Sequence, residues 1–187
     1  IRPTAVVQPD SAAEVGRWTL GPLLPTRLLG RKWLPVPLWP GLRAQAVHAD
    51  DVAAAITALL DRGLAGSFNL AAEPVLDARQ LARIFGGRLL PVPLPVLRAL
   101  AWVSWRTGLI PMHPGWLRLA DQVPLVDADR ARDQLDWRPE HDTRDTLAQF
   151  VAAIARGRSA PSAPLAGGSG KLGHGGPTHQ SQGREAR

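Results

Sequence analysis

Arg43-Ala44-Gln45-Ala46-Val47-His48-Ala49-Asp50-Asp51-Val52-Ala53-Ala54-Ala55 is the stretch on which the fold turns. Its first half alternates Arg43 and Gln45 with Ala44 and Ala46, the period of a half-buried strand. Its second half opens a helix, because Val52, Ile56, Leu59 and Leu60 recur at the i, i+4, i+7, i+8 spacing of one apolar face. Asp50 and Asp51 then lie at the positive end of the helix dipole. A strand that ends in a histidine and two carboxylates and feeds a helix is where α/β folds place polar ligand contacts. The plainer reading of the same residues is that Asp50 caps the helix and His48 braces the turn. Arg43 stands apart from both, since a planar guanidinium binds a phosphate through two parallel hydrogen bonds.

Further elements follow on both sides. Residues 1–7 are rich in β-branched side chains and end at Gln8-Pro9-Asp10, a turn signal, so a strand is expected there. Residues 18–29 predict short helical pieces broken by Pro22 and Pro25, and residues 33–39 an extended run. Gly63 and Gly66 end the central helix, after which residues 67–71 read as a strand. Asp77 caps a helix through Phe85, stopped by Gly86-Gly87, and residues 88–92 form a short strand. Residues 94–110 are apolar nearly all round and carry Trp102 and Trp105, which predicts a buried or interface helix, with a helix lying on a membrane surface as the alternative. Leu125-Val126 reads as a brief strand, Asp127 as the cap of a helix through Leu135, and Trp137-Arg138-Pro139 as its stop. The last helix runs over residues 143–155 with Leu147, Phe150, Val151 and Ile154 on one side. Beyond Arg156 the composition turns to Gly, Ser, Pro, His and Gln, which cannot offset its ordering entropy by burial, so residues 157–187 are expected to be a disordered tail.

The 187 residues are 45% hydrophobic and 20% charged, enough to bury a core. The formal net charge of +6 and the isoelectric point near 11.3 suggest a nucleic-acid binder. That suggestion weakens because Lys32 and Lys171 are the only lysines and Tyr and Cys are absent, so a small arginine excess sets the value. Arg158, Lys171, Arg184 and Arg187 against Glu185 put +3 of the charge in the tail. No cysteine means no disulfide framework, no thiolate nucleophile and no cysteine-ligated zinc, which suits a cytoplasmic location. A phosphate-binding loop needs Ser or Thr after Gly-Lys, but Gly170-Lys171 is followed by Leu172. There is no Gly-x-Gly-x-x-Gly opening a helix and no Gly-x-Ser-x-Gly elbow. His174 and His179 read as solvated tail residues, and no metal ligand set is expected.

Four segments, Arg2-Pro3-Thr4-Ala5-Val6-Val7-Gln8-Pro9, Arg43 to Val52, Phe68-Asn69-Leu70-Ala71 and Leu135-Asp136-Trp137-Arg138-Pro139, occur in an order and spacing that resemble a known family. It is that of the extended short-chain dehydrogenase/reductases, within them the NAD(P)-dependent epimerases and dehydratases that act on nucleoside-diphosphate sugars. The resemblance implies an α/β fold: residues 1–156 would be the C-terminal part of a Rossmann-type fold with the smaller substrate-binding lobe. It also implies Pro3 and Thr4 as cofactor neighbours, Arg43 as a ligand of the substrate diphosphate, and NAD or NADP as cofactor. Val7-Gln8-Pro9 departs from the family's Tyr-Gly-Pro, and Asp136 replaces its glycine before Trp137.

The family's proton transfer needs a Tyr-x-x-x-Lys pair, in which lysine lowers the tyrosine pKa. With no tyrosine, these 187 residues hold no catalytic residue of that kind. The leading expectation is therefore the substrate-holding half of a longer enzyme, with a nucleotide sugar as partner, no nucleic acid and no membrane span, and a homodimer left open. Two others remain: a non-catalytic relative acting as scaffold or sensor, and a basic module touching nucleic acid or an anionic membrane through the tail and the Trp102/Trp105 helix.

Overall fold

In the computed structural model, which describes residues 1–12, 15, 31, 33–109 and 113–157, the opening strand changes partner halfway along. β1 (Arg2–Pro3) pairs parallel with β6 (Asn69–Leu70), in register Pro3↔Leu70. β2 (Ala5–Val7) pairs parallel with β5 (Ala46–His48), in register Val7↔His48. Thr4 lies between, its N–H still donating to Leu70 O at 2.9 Å. β3 (Pro35–Leu38) pairs parallel with β8 (Arg88–Pro91), and β4 (Arg43–Ala44) antiparallel with β7 (Leu76–Asp77). Parallel pairs joined through helices make the chain α/β, as the sequence led one to expect.

Helix α1 (Ala49–Arg62) follows β5 directly and ends at Gly63, whose φ of 59° is the left-handed turn that closes many helices. α2 (Ala78–Ile84) begins in a full capping box: Asp77 accepts from Gln80 N, and the Gln80 side chain accepts from Asp77 N. α3 (Leu94–Arg106), α4 (Gly115–Gln122), α5 (Asp129–Leu135) and α6 (Thr143–Arg156) complete the described helices. Gly157 ends α6 in the left-handed conformation; the expected tail from residue 158 and the helical pieces over residues 18–29 lie outside the described residues.

The core is in three parts. Val47, Ala55, Phe68, Leu70, Ala131, Leu135 and Trp137 join β5, β6, α1 and α5. Ala12, Phe150, Ala153 and Ile154 hold α6 against the turn after β2. Trp39, Leu42, Leu76, Ala78 and Leu81 make the third, on which Leu94 and Leu97 of α3 and Leu117 of α4 rest.

Four expectations need correction. His48, not Asp50, caps α1, its Nδ1 accepting from Asp50 N, while Asp50 is exposed. β5 does not continue the alternation of Arg43–Ala44, because all three of its residues are buried. Leu125-Val126 is not a strand: its main chain is met by a side chain, Val126 N donating to Gln45 Oε1 at 2.8 Å and Gln45 Nε2 donating to Val126 O at 3.2 Å. Helix α3 has no buried residue; a narrow stripe of Leu94, Leu97 and Ala101 attaches it, and the rest of its apolar surface faces outward. Helix α4 was not foreseen.

Gly87 lets β8 approach β3. A Cβ there would sit 2.2 Å from Leu34 O and 2.7 Å from Val36 Cγ2, and the first is backbone that cannot rotate away. Gly87→Ala should therefore lower stability by at least about 2 kcal/mol, read by urea unfolding; a loss below 0.5 kcal/mol on that same order-of-magnitude scale would contradict this packing.

Candidate functional site

The residues singled out in the sequence fall at three places. Pro3 and Thr4 stand where β1 ends and the segment passes from one parallel pairing to the other. Thr4 is half-buried, and its Oγ1 is buried without a hydrogen-bond partner among the described residues. A buried hydroxyl with no partner carries a desolvation cost that a ligand's polar group would relieve. Thr4 thus has a hydroxyl free to bond one further polar atom. Pro3, exposed and with no N–H, offers only an apolar wall.

Arg43 is exposed on β4, and its Nη1 donates to Leu42 O at 3.0 Å and to Pro40 O at 3.4 Å. It has no carboxylate partner among the described residues. The carboxylate of Asp77, directly opposite in the antiparallel register, is taken up by the N-cap of α2. Arg43, Arg79, Pro40, Leu89 and Pro91 surround a cavity of about 210 Å³. Two guanidiniums with one committed carboxylate give it the sign a phosphate needs.

A second cavity, of about 340 Å³, lies between Gln45, Ala71 and the segment leading into α5. Its charges point the other way. Arg132 is bound by both Glu73 and Asp129, and Asp127 accepts from Asp129 N, so three carboxylates face one arginine that is already neutralised. An anionic ligand is repelled there, and the sign of the lining separates the two cavities more sharply than size does. Pro3 and Thr4 line neither of them.

The residues at the mouth of α1 prove to be structural. Asp51 is 3% exposed and accepts hydrogen bonds from Glu140 N at 2.9 Å and His141 N at 3.2 Å, with His141 Nδ1 also at 3.2 Å. The indole Nε1 of Trp137 donates to Asp51 O at 2.8 Å. His141 stacks on His48 with ring centroids 4.2 Å apart. The double carboxylate therefore divides its work: Asp50 faces water, and Asp51 pins residues 137–141 onto the start of α1. Sequence reasoning did not distinguish the two, because the partners of Asp51 are some ninety residues away. Asp136, where the resembled family has glycine, adopts φ 49°, a left-handed turn that Asp tolerates better than most residues.

No protein-family model matches the sequence, and no curated protein matches it. Solved structures do. UDP-N-acetylglucosamine 4-epimerase from Bacillus cereus is 10% identical, over 82% of this chain and 45% of its own, with a TM-score of 0.43. dTDP-glucose 4,6-dehydratase from Bacillus anthracis, solved with NAD, is 15% identical over 83% and 43%, TM-score 0.44. RMD from Pseudomonas aeruginosa, solved with NADPH, is 16% identical over 83% and 47%, TM-score 0.45. The chain thus spans less than half the length of each of these three structures.

Proposed function

We propose that the chain is the substrate-holding half of an NAD(P)-dependent sugar-nucleotide epimerase, dehydratase or reductase, with Arg43 as ligand of a substrate phosphate and Pro3 and Thr4 beside the cofactor. The observation that carries this is the Arg43 guanidinium, which has no carboxylate partner, beside Arg79 at a cavity of about 210 Å³. The unpartnered Thr4 hydroxyl supports the second contact. The proton-transferring tyrosine and a glycine-rich phosphate loop are absent from these 187 residues, so catalysis would need groups from outside them. A cytoplasmic setting and a homodimer belong to the same reading.

Arg43→Ala is expected to weaken binding of UDP-glucose or dTDP-glucose by about 1.5–3 kcal/mol, measured by calorimetric titration. Equal affinity of the two proteins would remove Arg43 from the site. The zero tyrosine count favours a second reading, a non-catalytic scaffold of the same fold. A full-length gene product with a cofactor loop but no Tyr-x-x-x-Lys pair would establish it over the first.

A further inference from the structure

We propose that the α3–α4 hairpin is a docking face for a membrane surface that carries anionic headgroups. This goes beyond the nucleotide-sugar reading and does not rest on it.

Two properties converge on the same helices. The first is an apolar surface with nothing against it. While Leu94, Leu97 and Leu117 rest on the third part of the core, Val96, Leu100, Trp102, Val103 and Trp105 of α3 and Trp116 and Leu119 of α4 are exposed; Trp102, Trp116 and Leu100 show 52, 57 and 59% of their surfaces. The hairpin is nonetheless fixed, since Trp39 Nε1 donates to Asp121 Oδ1 at 2.8 Å. The second is charge. The two helices carry three arginines, Arg98, Arg106 and Arg118, against one carboxylate, Asp121, and Arg79, Arg83 and Arg88 lie on the neighbouring α2 and β8. Arg98 and Arg118 stand with Trp102 and His113 around a cavity of about 530 Å³ between the two helices. Arg98 and Arg106 have no carboxylate partner among the described residues.

On α4, Trp116 and Leu119 share one side at i, i+3 spacing with Arg118 beside them, and on α3 Val96, Leu100 and Val103 share an exposed side; short helices of that kind lie in the plane of a bilayer interface, apolar face down. Indole rings favour that layer because one edge is apolar and the N–H is wet. At 13 residues α3 is too short to cross, and no described helix is long and apolar enough to do so. The chemistry separates a lipid surface from other occupants. Leu100, Val96, Val103 and Leu119 offer nothing that a nucleic acid reads, whereas acyl chains accept them. A second copy would set Arg98, Arg106 and Arg118 against the same three arginines.

The test is cosedimentation of the full chain with vesicles of pure phosphatidylcholine and with vesicles about one-third phosphatidylglycerol, followed also by tryptophan emission. The anionic vesicles are expected to bind at least about tenfold more tightly, with the difference lost near ~1 M salt. Arg98→Gln with Arg118→Gln should cost about thirtyfold on anionic vesicles. Trp102→Ser with Trp116→Ser should cost at least about tenfold on the same vesicles. The salt and lipid comparison on the native chain needs no variant, so a misfolded mutant leaves the proposal testable. It is overturned if anionic vesicles do not bind, if the two vesicle types bind equally, if both double variants bind like the native chain, if duplex DNA binds more tightly than vesicles, or if self-association buries the tryptophans and blocks vesicle binding.

Discussion

Replacing Trp137 by alanine is expected to lower the free energy of unfolding by about 3–5 kcal/mol. The indole is 4% exposed and packs with Phe68, Leu135 and Ala131, so its loss leaves a cavity that the surrounding helices and strands cannot close. It also strands a buried acceptor, since the indole N–H is bonded to Asp51 O at 2.8 Å. Trp137→Phe separates the two effects: it keeps most of the packing and removes the donor, and should cost about 1–2 kcal/mol. Urea unfolding of the three proteins checks the series, and a Trp137→Ala loss below about 1 kcal/mol would mean that the indole is not the link between α1 and the residues before α6.

Asp51→Ala comes next, at about 3 kcal/mol or more. Its carboxylate, itself buried, is the acceptor for the N–H groups of Glu140 and His141 and faces the His141 ring, and truncation leaves those part-buried donors without their protein partner. Asp51→Asn keeps one acceptor oxygen and should cost roughly half as much. A local readout distinguishes this from general destabilisation. Amide exchange at Glu140 and His141 should speed up before that of α1 as a whole, and unchanged protection at those two amides would show that the carboxylate does not hold them. Because the Trp137 indole and the Asp51 carboxylate both fasten residues 137–141 to the start of α1, the double variant should lose less than the two single losses together.

Helix α1 was legible from the sequence because its signals are local: an apolar face at helical spacing, acidic residues in the first turn and a glycine at the end. The same holds for α2, whose capping box lies within four residues. What local reasoning could not see were long-range partners. The two adjacent aspartates at the start of α1 are alike in sequence, and only the arrival of residues 140–141 makes one of them buried. Gln45 looked like an ordinary strand residue, yet its side chain is the partner of Val126, which is why residues 125–126 are extended without being a strand. The continuous apolarity of α3 suggested burial, whereas three residues on one stripe suffice to attach it. Of the proposed site residues, Arg43 stood out by its chemistry, and the structure places it with Arg79 at a cavity. Thr4 drew attention only through resemblance, and its unpartnered hydroxyl is a property no sequence displays.

The divided allegiance of residues 2–7 has a mechanical side. A slip of one residue in either pairing would drag the other with it, because Pro3↔Leu70 and Val7↔His48 are separated by only a few bonds of the same chain. The two registers are locked to each other, and Val47 and Leu70, one from each partner strand, are buried in the same part of the core, so the two parallel pairs are held together as well. A backbone disturbance at Thr4, the residue that belongs to neither strand, would therefore be felt in both pairings at once.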